Sequence, residues 1–156
     1  MTAESPKTVR SSAQFDAGQF RPHGHFQIRV EGAIVHSIAQ GPFNPEFVKV
    51  LGLARDDVLK SLQVPRIHAH FVELRTSMLA SPEVLEEFSR FLAAVEREPL
   101  MAGAVTAWVL PPDIEGREFM TPLFERVFAA HGRTFRVFEQ MAEAQAWVQS
   151  LAERGA

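Results

Sequence analysis

The chain contains no cysteine. That absence removes disulfides, thiolate nucleophiles and thiolate-held zinc from the chemistry open to it. Charge of one sign is also scarce: the formal net charge is −3, and arginines are interleaved with acids along the chain. Proteins that grip nucleic-acid backbones usually carry a basic face, so no nucleic-acid partner is expected. No apolar run approaches the roughly 20 residues needed to cross a bilayer, so no transmembrane segment is expected. The opening stretch has Lys7 and Arg10 but no apolar core behind them, which argues against a secretion signal and for a cytoplasmic location.

Catalytic signatures are missing as well. Ser37, Ser77, Ser81 and Thr121 offer hydroxyls, but none stands in a Gly-x-Ser-x-Gly elbow. The stretch "QGPFN" has one glycine and no lysine, so it is no phosphate cradle. There are six histidines. His68 and His70 are two apart on an expected strand and share a face. His36 falls on another strand, His23 and His25 lie near the start of the ordered region, and Glu73 has the opposite parity from His68 and His70. A His-based centre needs three ligands and carboxylates that orient the imidazoles, and nothing fixes a third ligand. No metal, no cofactor and no catalytic residue is expected, which points to a non-enzymatic protein, with a His-dependent metal-binding protein as the lesser alternative.

What the sequence does contain is the balance of a single globular domain: 156 residues, 46% hydrophobic and 22% charged. Residues 1–23 are polar apart from Phe15 and Phe20 and cannot offset their ordering entropy, so a flexible N-terminal tail is expected ahead of a domain at 24–156. In "HFQIRVEGAIVHSIAQ", Phe26, Ile28 and Val30 alternate with Gln27, Arg29 and Glu31, the mark of a half-buried strand. Glu31-Gly32 turns it into a second strand, giving a hairpin. At "GPFNPEF" the period changes. Asn44 is suited to cap a helix, Pro45 to its first position and Glu46 to its positive end. Phe47, Val50, Leu51, Ala54, Val58 and Leu62 then recur at helical spacing.

The alternation repeats. "RIHAHFVELR" predicts a strand, and Ser81-Pro82 opens a helix carrying Leu85, Phe88, Leu92 and Val95. "GAVTAWVL" predicts a strand covered on both faces. The next helix carries Met120 to Phe128, with Pro122 suiting its first turn or "DIEGREF" an earlier start, and His131-Gly132 ends it. "TFRVFE" and "MAEAQAWVQSLAER" predict the last strand and helix. The order is β-β-α-β-α-β-α-β-α, an α/β fold with a mostly parallel five-stranded sheet, one antiparallel strand and four helices.

In open α/β sheets ligands collect beyond the carboxyl ends of the parallel strands. Those ends place Gly41, Phe43, Asn44, Ser77, Ser81, Trp108 and Pro111 as candidate ligand-binding residues, for a small apolar ligand or a protein partner. The antiparallel hairpin at the sheet edge leaves a homodimer open.

Three stretches carry a family resemblance: "GPFNPEFV" after the hairpin, "SPEVLEEFSRF" after the third strand, and "FRVFEQMAEAQAWVQSL" at the end. In the last, Val137, Phe138, Glu143, Ala144 and Trp147 match a closing strand-then-helix pattern. Over residues 25–153 the chain resembles the SpoIIAA-like group of bacterial proteins. The resemblance implies the βα-superhelix fold of the sporulation anti-anti-sigma factor, similar to CRAL-TRIO lipid-binding domains, and a regulatory or binding role. Phosphorylatable anti-anti-sigma domains carry Asp-Ser-Ser-Gly at the helix start. Here that place reads Leu79-Ala80-Ser81-Pro82, so the alternative of a phospho-regulated partner switch rests on Ser81 or Ser77 without the flanking Asp and Gly.

Overall fold

The computed structural model describes residues 8–15 and 22–154. Its strands are β1 (Thr8–Ser11), β2 (His25–Glu31), β3 (Ile34–Gln40), β4 (Ala69–Arg75), β5 (Val105–Val109) and β6 (Phe135–Phe138). Its helices are α1 (Pro45–Ser61), α2 (Pro82–Glu96), α3 (Arg117–Ala130) and α4 (Met141–Arg154). The sheet has six strands, not five, in the order β1-β2-β3-β4-β5-β6. The addition is β1, from the segment expected to be tail, which pairs antiparallel with β2 from Thr8↔Val30 to Ser11↔Gln27. Four residues with one valine carry no strand signal of their own; the free edge of β2 supplies the backbone partners. Ser12 locks the corner by accepting from the Phe26 amide at 3.3 Å, and Phe15 packs against the core. Phe20 lies outside the described residues.

β2 is antiparallel to both neighbours, while β3 to β6 are parallel throughout. Among the described strands only β2 therefore runs against the rest. Its burial alternates residue by residue, as the Phe26, Ile28, Val30 pattern requires. Both expected caps are present: the Asn44 side chain accepts from Phe47 N at 3.0 Å and Ser81 Oγ from Val84 N at 3.3 Å. α3 takes the earlier of its two expected starts. Gly116 precedes it at φ 83, and Pro122 falls inside the helix. Gly132 ends α3 at φ 63, with Arg133 N returning to Phe128 O at 3.0 Å.

The strand order decides where the helices lie. Each crossover from β3 to β6 steps one strand in the same direction with the same hand, so α1, α2 and α3 fall on one face. They bury the main core there, against Phe26, Ile28, Val35, Val72, Leu74 and Trp108. α4 follows the last strand and packs Ala144, Trp147 and Val148 on the other face, over Ala69, Phe71, Ala107 and Val109. Among the described residues no helix is long and apolar enough to cross a membrane.

Candidate functional site

At the carboxyl ends of the strands, backbone meets backbone. Gly41 N donates to Ser77 O at 3.1 Å, Phe43 N to Leu79 O at 3.0 Å, and Met78 N to Glu115 O at 2.9 Å. Phe43 and Ala80, and Ser77 and Glu115, thereby extend the parallel pairing past the strand ends. A β-carbon on Gly41 would stand 2.3 Å from Ser77 O, so only glycine fits this approach. Ser77 is 1% exposed, and its hydroxyl donates to Glu115 Oε1 at 2.7 Å and accepts from Leu79 N at 3.1 Å. Open α/β sheets form a ligand crevice where the strand order reverses. Here the order runs from β3 to β6 without reversal, and the connecting loops fill the ledge.

The seven candidate residues accordingly separate. Gly41 and Ser77 are joined by a hydrogen bond, and Asn44 and Ser81 cap helices. Pro111 accepts from Ile114 N at 3.2 Å in the turn after β5. Phe43 and Trp108 turn inward and line a cavity of about 120 Å³ between the sheet and the helices.

This cavity is lined by small, branched and aromatic side chains from the sheet and the helices. Val35, Ser37 and Ala39 of β3 and Val72 of β4 form its floor, with Val58 of α1 and Val84 of α2 among the residues above. Trp108 closes one side, held edge-on by Phe128 and Phe135 at 5.6 and 5.1 Å between centroids. Four lining residues that keep part of their surface in solvent, Leu51, Arg55, Leu59 and Phe91, belong to the seam between α1 and α2. Arg55 bridges that seam, its guanidinium 4.8 Å from the Phe91 ring centroid and Nη1 3.2 Å from Phe91 O.

Five lining residues are polar: Ser37, Arg55, His70, Thr106 and Arg133. Arg133 spends Nη2 on Met101 O and Ala104 O, at 3.2 and 3.1 Å. Ser37 Oγ and His70 Nε2 are 2.7 Å apart across β3 and β4. His70 is half-buried at its surface, and burial among the surrounding protein atoms, helped by the neighbouring His36, lowers its pKa to about 4. The imidazole is therefore neutral at pH 7. Among the described residues neither its Nδ1 nor the Thr106 hydroxyl has a hydrogen-bond partner, yet no buried side-chain polar atom is left unpartnered. Both atoms thus keep accessible surface, and both residues border the cavity. No carboxylate lines it among the described residues.

The other histidines do not converge with His70. His36 faces the opposite side of the sheet, stacked on Phe71 at 5.5 Å, and burial followed by the Arg29 charge lowers its pKa. It borders an open depression of about 380 Å³ beside α4, with Gln27, Arg29, Glu73 and Gln145. His68 precedes β4 and is exposed. Among the described residues no group of three or more metal-ligating side chains occurs.

At the contact between α2 and α3, Ser89 Oγ is 2.8 Å from His131 Nε2, and His131 Nδ1 is 2.7 Å from Glu96 Oε1. Serine, imidazole and carboxylate stand in the order that activates a nucleophile. Ser89 is inside α2, however, where its own amide and the next are committed to the preceding turn and cannot hold an oxyanion. The set ties the end of α3 to α2.

No protein-family model, no curated protein and no solved structure matches this chain.

The residues missed by pattern alone are Ser37, His70 and Thr106 as one inward row. Parity gives His70 the same side as Val72 and Leu74, which is a usable signal. β4 is apolar on both parities, so that signal does not say which side is the cavity.

Proposed function

We propose that this protein is a non-enzymatic binding module that takes up a small apolar ligand in the cavity between its sheet and the α1–α2 seam. The observation that carries the proposal is a cavity of about 120 Å³ whose wall is apolar at all but five lining residues. An engineered apolar cavity of roughly 150 Å³ stays dry and binds benzene, so a void of this kind suits a ligand of one small ring. Burying apolar surface there is favourable at about 25 cal/mol per Å², and filling the void restores dispersion contacts that its lining lacks. The resemblance to SpoIIAA-like proteins belongs to the same proposal: a bacterial regulatory domain, cytoplasmic, whose signal is ligand occupancy.

Thermal unfolding of the full chain with and without benzene tests this. At ten times its Kd a ligand adds about 1.4 kcal/mol of stability, which raises Tm by about 4 °C for a domain of this size. A Tm unchanged up to the solubility limit of benzene, with no heat of binding in calorimetry, would sink the proposal.

A further inference from the structure

We infer that the ligand of this cavity is a neutral hydroxylated ring, a phenol, whose hydroxyl sits against His70 and Thr106. The inference rests on the ligand-binding reading above and names the chemistry of the ligand's polar end.

His70 and Thr106 are register partners on adjacent parallel strands, β4 and β5. Strands stand about 4.8 Å apart, so two side chains on one face of such a pair can share a single ligand atom. Thr106 is 6% exposed, and among the described residues its hydroxyl has no hydrogen-bond partner but keeps accessible surface. A hydroxyl that borders a largely apolar void has few partners there, so a ligand group that bonds to it gains free energy. The imidazole beside it has Nε2 bound to Ser37 Oγ at 2.7 Å, and His70 lines the same cavity.

The chemistry of these two atoms restricts the ligand. His70 Nδ1 accepts if Nε2 carries the proton to Ser37, and donates in the other tautomer. The threonine hydroxyl does both. A ligand hydroxyl, which also donates and accepts, meets either arrangement, whereas an ether, which only accepts, or an ammonium, which only donates, meets only part of it. Charge is disfavoured. The row contains no ion, and the two cations bordering the cavity are already engaged, Arg55 with Phe91 and Asp56, Arg133 with Met101 O and Ala104 O. An aromatic carboxylate would enter with no counter-charge at the row. The volume, about 120 Å³, suits one ring with its hydroxyl rather than a long chain.

Calorimetry with phenol, benzene and benzoate, on the natural chain and on Thr106→Val, tests the inference. Valine keeps the shape of threonine and removes the hydroxyl. On the natural chain phenol is expected to bind about tenfold more tightly than benzene, the factor expected of one well-formed neutral hydrogen bond beyond desolvation. In Thr106→Val the phenol affinity falls about tenfold while benzene stays within about twofold, and that benzene value also reports an intact cavity. Benzene binding with no preference for phenol, a preference that survives Thr106→Val, or benzoate binding as tightly as phenol overturns the phenol inference and leaves the cavity reading standing. Failure of benzene and phenol alike overturns both.

Discussion

Two regions of this domain, the strand-end ledge and the space under the helices, differ in what fills them. At the carboxyl ends of the strands the space is taken by main chain: Gly41, Phe43 and Met78 donate to carbonyls of neighbouring loops at 2.9 to 3.1 Å. Between the sheet and the α1–α2 seam the space is bounded by side chains, and they leave about 120 Å³ empty. Backbone pairing tolerates no gap because unpaired amides are costly, whereas side chains of unequal size can leave a void at moderate cost. In a sheet whose strands follow one another in order, the ledge closes and the room is left under the helices.

The contrast can be broken first at the ledge. Gly41→Ala puts a methyl 2.3 Å from a backbone oxygen that has no room to retreat. It should destabilise the fold by more than about 3 kcal/mol in urea unfolding, beyond the usual range for overpacking because the neighbour is main chain. The next largest effect is at the cavity floor. His70 has a folded pKa of about 4 against 6.5 unfolded. Between those values the unfolded chain binds the extra proton, so stability is full above pH 6.5, declines as the pH falls, and levels off below about 4. The loss is about 3 kcal/mol in all. A His70→Gln variant should flatten that part of the pH profile of unfolding.

Smaller effects sharpen the picture of the void. Val72 lines it and is 7% exposed. Val72→Ile should add about 0.8 kcal/mol of stability by placing one methylene in empty space, and should weaken benzene binding at the same time. A filled core at that position would instead respond with a loss. Gly52 lies in α1, where an added β-carbon would meet Arg55 Nη2 and Phe91 Cδ2 at 3.9 Å, ordinary contact distance. Gly52→Ala should gain about 0.5 kcal/mol from helix propensity, read as a rise in Tm.

Much of the fold was legible because local signals agreed with the tertiary arrangement. The period-two run Phe26, Ile28, Val30 became β2, and Asn44-Pro45 and Ser81-Pro82 became helix starts. β1 was not legible, since Thr8–Ser11 owes its strand to the free edge of β2 rather than to its own pattern. The cavity was legible only in pieces. Phe43 and Trp108 line it, but they were singled out as strand-end residues, and nothing local places Ser37 beside His70, which is 33 positions away. That pairing depends on the β3–β4 register, in which Val35 faces His70 and Ser37 faces Val72. Helical periodicity likewise shows which residues of α1 and α2 turn inward. Whether their volumes fill the space is a property of facing layers, and no single segment records it.

The most direct test is methyl NMR of the full chain, carbon-13-labelled at Val and Leu, titrated with benzene. Ligand in the cavity predicts saturable shifts at Val35, Val72, Val84 and Leu92, with Leu79 at the strand-end ledge unmoved. Shifts centred on Leu79, with those four methyls unchanged, would contradict the account.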